Sequence, residues 1–159
     1  MNYFELFDIL VNINIDRAAL SKKYFELQKK YHPDFFVQDD EDAQQLALEK
    51  TSELNKAFKI LRDKDSTIQY ILKLKGLLVE EEKYTLPPDF LMEMMELNEN
   101  LSEDSVQTIT DFESGIYDEV KNIIDNYDDK TISTDDLLRL KEYYYKKKYL
   151  HRILDRIDG

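Results

Sequence analysis

Apolar residues return along the chain with helical spacing almost everywhere. Leu20, Tyr24, Leu27 and Tyr31 stand at i, i+4, i+7 and i+11, one stripe of a single helix. Asp16 precedes that stripe as an N-cap, and Pro33 ends it. The proline ring cannot donate a hydrogen bond, and the residue before it is pushed out of the α region. On a helical wheel Lys22, Lys23, Lys29 and Lys30 take the arc opposite the stripe, interrupted only by Glu26. Tyr3 to Leu10 reads as a short apolar helix ahead of this one. After Gln38-Asp39-Asp40, whose acidic residues suit a helix N-terminus, a further helix runs to about Arg62. It carries Ala47, Leu54, Phe58 and Leu61 on one face. Two amphipathic helices joined by a modest loop predict an antiparallel hairpin, which the short first helix can cross. Thr67 to Leu78 predicts a shorter helix ending near Gly76.

Glu80-Glu81-Glu82-Lys83 and Pro87-Pro88 form the clearest break. Beyond it the pattern predicts helices over about 89–101, 105–127 and 134–157. The second carries Ile109, Phe112, Ile116, Val120, Ile123 and Tyr127, and Ser133-Thr134-Asp135-Asp136 signals the start of the third. The expected fold is therefore all-α: a helical hairpin with short flanking helices over 1–76, a linker over 77–88, and a three-helix bundle over 89–159.

Composition narrows the chemistry. Only 3 Gly and 3 Pro in 159 residues suit helices rather than a turn-rich sheet protein. With no cysteine, disulfides, zinc–thiolate sites and a thiol nucleophile are excluded. Two histidines far apart in sequence and no Gly-rich phosphate loop point to no metal site and no nucleotide cofactor. No nucleophile–base pair stands out, so an enzyme is not expected. The first residues lack the basic start and apolar run of a signal peptide, and no stretch approaches a membrane span. A cytoplasmic protein is the default expectation, and nothing demands more than a monomer. The net charge of −12 is uneven. Residues 1–75 hold 13 acidic and 12 basic side chains, whereas 76–159 hold 21 and 10. A near-neutral half beside a strongly acidic one suggests surfaces with different partners, nucleic acid not among them.

His32-Pro33-Asp34 directly follows the lysine-faced helix. Three such residues alone mean little; in a hairpin turn, at this distance from the start and after a basic helix, they are specific. The arrangement resembles the J-domain of DnaJ-type co-chaperones. Tyr3-Phe4-Glu5-Leu6-Phe7 and Leu54-Asn55-Lys56-Ala57-Phe58-Lys59-Ile60-Leu61-Arg62 fit the same family at the expected places. Gln69-Tyr70-Ile71-Leu72 leads to Gly76 without a Gly/Phe-rich segment, and Phe90-Leu91-Met92-Glu93-Met94-Met95-Glu96-Leu97 is similar to the client-binding helix of HscB, the J-protein of iron–sulfur cluster assembly. The likeness is patchy over 102–145. It implies a co-chaperone that stimulates ATP hydrolysis by a DnaK/HscA-type chaperone, with His32, Pro33, Asp34, Arg17, Lys22, Lys23, Lys29 and Lys30 facing that partner. Phe35 departs from the pattern, because the family usually has a basic residue there.

On the helix near Asp89, Phe90, Met94, Leu97 and Leu101 make the core stripe. Leu91, Met92 and Met95 fall off it by roughly 100° or more, beside Glu96, Glu99 and Glu103. Flexible apolar side chains rimmed by carboxylates suit a surface that conforms to a partner; packing against another helix is the alternative. The resemblance implies that Leu91, Met92, Met95, Glu96 and Glu99, with Tyr149 on the last helix, hold an iron–sulfur scaffold protein such as IscU. A J-domain co-chaperone or adaptor with an unrelated client is the competing expectation.

Overall fold

The helices of the N-terminal half begin where a short polar side chain can accept from an otherwise unpaired backbone N–H. Helix α1 (Tyr3–Leu6) follows Asn2, which accepts from Glu5 N–H at 2.8 Å. Helix α2 (Arg17–Tyr31) follows Asp16, which accepts from Ala19 N–H at 3.1 Å. Helix α3 (Glu41–Leu61) follows Asp40, accepting from Ala43 N–H at 2.8 Å. Replacing such a cap by alanine typically costs about 1 kcal/mol. The computed structural model describes residues 1–158 and adds α4 (Lys64–Leu74), α5 (Pro88–Glu99), α6 (Ser105–Asp125) and α7 (Thr134–Asp158), with no strand among the described residues. The all-α architecture expected from the periodicity is the one observed. No described helix is long and apolar enough to cross a membrane.

Two boundaries differ from expectation for local reasons. Helix α1 is a single turn because Asp8 takes a left-handed conformation, φ 53°, and a double hydrogen-bonded stop forms: Ile9 N–H to Phe4 C=O and Asp8 N–H to Glu5 C=O. Helix α4 starts one turn early because Asp63 caps it, accepting from Ser66 N–H at 2.9 Å. The buried Thr67 hydroxyl then bonds back to the Asp63 carbonyl at 2.7 Å. The same helix ends on the same kind of stop as α1, with Gly76 at φ 72°, Leu77 N–H to Leu72 C=O and Gly76 N–H to Lys73 C=O.

The chain separates into two compact units, Met1–Tyr70 and the remainder from Ile71. In the first, α2 and α3 pack as the expected hairpin around Leu20, Leu54, Ala57 and Leu61. Phe4 and Phe7 of the α1 region are also buried. Tyr3 stacks on Tyr70 at 4.6 Å, and its N–H donates to the Tyr70 hydroxyl at 2.8 Å. In the second unit α6 and α7 form the main pair, and Met94, Ile109, Ile124, Leu140 and Leu150 are fully enclosed. Ile124, rather than Ile123, occupies the α6 core position. Segment 77–88 belongs to this unit: Leu86 is buried, and Glu82 pairs with Lys141 at 3.0 Å.

Candidate functional site

At the end of α2 the backbone of His32 leaves the helical region, φ −58° and ψ 131°, as a residue before proline must. Pro33 then opens a 3-10 turn, Pro33–Phe36, closed by Phe35 N–H to His32 C=O at 3.0 Å. The imidazole caps this turn: Nδ1 accepts from Asp34 N–H at 3.2 Å. With Nδ1 accepting, Nε2 is the ring nitrogen left to donate. The Asp34 carboxylate lies 3.6 Å from Nδ1 and its side chain is 84% exposed, against 51% for His32. Capping and outward presentation are thus combined. A donor and a carboxylate project together from a proline-locked corner.

The corner is held by the hairpin beneath it. The Tyr24 hydroxyl and the Gln28 amide both donate to the Asn55 side-chain oxygen, tying α2 to α3. Tyr24 also stacks on Phe58, 4.1 Å between ring centres. The segment 54–62, quoted above for its family resemblance, is the half of the clasp supplied by α3.

Of the basic residues expected here, Arg17, Lys22, Lys29 and Lys30 are exposed on α2. Lys23 is half-buried, and its Nζ donates to the Asp8 carbonyl at 2.8 Å, so it serves the stop of α1. Its charge is shared with the fold. The arc holds more than Glu26 among its lysines, because Phe25 lies on it too. An open recess is lined by Lys22, Phe25, Glu26, Gln28, Lys29, His32 and Phe35. Phe25 falls on the lysine arc of the helical wheel, so its outward position is readable from the sequence.

On α5, Phe90 and Met94 face the core. Met92 and Met95 are 63% and 62% exposed, with Glu96 and Glu99 exposed beside them. Leu91 is half-buried at the flank. Exposure on this scale rules out packing of the two methionines against another helix of their unit. Tyr149 of α7 meets α5 at Phe90, edge to face at 6.1 Å, and is half-buried. His151 lies 3.4 Å from Glu113 on α6.

Comparison with known proteins returns two family profiles. The DnaJ domain matches residues 2–70, and the HSCB C-terminal oligomerisation domain matches residues 86–158. A co-chaperone protein HscB homolog from Vibrio parahaemolyticus is 37% identical over 119 residues, covering 74% of this chain and 68% of the relative. The chain belongs to the HscB family of co-chaperones. A second HscB homolog, from Shewanella halifaxensis, is 40% identical over 104 residues; the match covers 65% of this chain and 60% of the relative, about three fifths of its length. Human HscB superposes with a TM-score of 0.80 at 28% identity, covering 99% of this chain and 81% of that one. HscB from Vibrio cholerae superposes with a TM-score of 0.63 at 27% identity, over 98% and 99%. In HscB terms the histidine–proline–aspartate corner lies in the DnaJ domain, and the methionine-bearing helix lies in the C-terminal domain.

Proposed function

We propose that this chain stimulates ATP hydrolysis by a DnaK/HscA-type chaperone through His32, Pro33 and Asp34, and delivers to it an IscU-like iron–sulfur scaffold held at Leu91, Met92, Met95, Glu96, Glu99 and Tyr149. The observation that carries the first half is the exposed Asp34 carboxylate 3.6 Å from Nδ1 of the half-exposed His32, on a turn opened by Pro33. A carboxylate in that setting fits the planar fork of an arginine on the partner. Arg17, Lys22, Lys29 and Lys30 add a field that speeds encounter with an acidic surface. This chain contributes no reacting group: it shifts the conformational populations of the chaperone, where the hydrolysis occurs.

Support for the client half comes from family membership together with the two exposed methionines of α5. Thioether side chains reshape at little cost, and the carboxylates of Glu96 and Glu99 reject wrong partners by charge.

The test is single-turnover ATP hydrolysis by the DnaK-type chaperones of the same cell, with wild type and Asp34→Asn. Wild type accelerates the reaction and the variant does so little, since the amide has lost the charge that an arginine fork requires. Equal acceleration by both overturns the proposal.

A further inference from the structure

Two phenyl rings stand in water beside the motif. Phe25 is 67% exposed and Phe35 is 65% exposed. Isolated exposed apolar residues are ordinary, but these two converge on one recess. His32 lines the same recess, with its ring edge-on to Phe35 at 6.2 Å between centres. Lys22 and Lys29, at i−3 and i+4 from Phe25, flank it. Phe35 occupies the position where the family resemblance leads one to expect a basic side chain, so a ring stands here in place of a cation.

We infer that Phe25 and Phe35 form an apolar clamp for one apolar side chain of the partner chaperone, and that this clamp makes the chain selective for a chaperone presenting such a side chain among carboxylates. The inference rests on the chaperone-binding reading above. Two features assign the occupant. The clamp is continuous with His32, so whatever docks on the corner covers it. Its rim sets Lys22 and Lys29 against the single carboxylate of Glu26, and that net positive charge calls for acidic neighbours around the inserted side chain. The clamp also divides the salt response. Contacts of exposed Lys22 and Lys29 are screened as ionic strength rises, whereas burial of two rings is not.

Stimulated single-turnover hydrolysis, titrated with this protein at low and high salt, tests the clamp. Phe25→Ala and Phe35→Ala each raise the half-stimulating concentration by about tenfold, the scale of a lost interface anchor, with the saturating rate kept. The shift is the same at both salt concentrations, while that of Lys22→Ala shrinks at high salt. Phe35→Lys does not restore wild-type binding to the cell's own chaperone. Unchanged half-stimulating concentrations in both alanine variants, or full restoration by Phe35→Lys, overturn the clamp and leave the Asp34 reading standing. Wild-type behaviour of Asp34→Asn defeats that reading, and absence of stimulation by wild type defeats both.

Discussion

Glu82 fastens the segment between α4 and α5 to α7, and removing its charge gives a measurable, pH-dependent loss of stability. Its carboxylate accepts from Lys141 Nζ at 3.0 Å and from the Tyr145 hydroxyl at 2.8 Å. It also takes Val79 N–H at 3.2 Å. Tyr84, two residues along, stacks on Tyr145 at 4.3 Å. The Lys141 and Glu82 side chains are only 14% and 23% exposed, so solvent screens the pair less than an ordinary surface bridge. Glu82→Gln keeps an oxygen for the tyrosine but abolishes the ion pair, and the expected cost is about 1–2 kcal/mol. The pH dependence follows from the bonds. The hydrogen bond from Lys141 and then that from Tyr145 hold the Glu82 carboxyl below its ordinary value of 4.5, while burial of the Tyr145 hydroxyl and its bond to Glu82 push the phenol upward. A carboxylate depressed in the folded state contributes stability in full above its unfolded value, and that contribution is lost as pH falls through the folded value. Urea unfolding of wild type and Glu82→Gln at pH 7, and again near pH 3, reads the difference directly. The gap is present at pH 7 and narrows in acid. A gap of equal size at both pH values, or none at pH 7, refutes the reasoning.

Other outcomes follow from the same contacts. Leu91→Ala/Met95→Ala weakens binding of an iron–sulfur scaffold by about 2 kcal/mol in a direct titration, whereas Met95→Ala alone leaves thermal stability little changed because Met95 is exposed; unchanged affinity removes this face from the account. Asn55→Ala strips the acceptor shared by Tyr24 and Gln28 and lowers the stability of the DnaJ domain by about 1–2 kcal/mol in urea. No loss would show that the clasp is replaced by water. Gly76→Ala costs roughly 1–2 kcal/mol, purely from the left-handed backbone, because nothing lies within 4 Å of an added Cβ; a neutral result in the same unfolding assay would mean that the helix stop rearranges.

Much of this molecule was legible in one dimension because its information is local. Helical periodicity, the polar caps ahead of α1, α2, α3 and α4 and the stop at Pro33 depend on residues within about one turn of each other. They sufficed for the hairpin, the corner and the outward methionines of α5. Three features depended on groups distant in sequence, and periodicity alone did not locate them. Lys23 reads as one more partner-facing charge, yet the fold brings the Asp8 carbonyl to it. Segment 77–88 reads as a linker, yet Lys141 and Tyr145, some sixty positions on, receive Glu82. Phe25 lies on the helix wheel, but only the turn that carries Phe35 beside it makes the two rings one surface. Capping and periodicity are set by neighbours along the chain; which exposed groups converge is set by how the helices close on one another, and that required the tertiary structure.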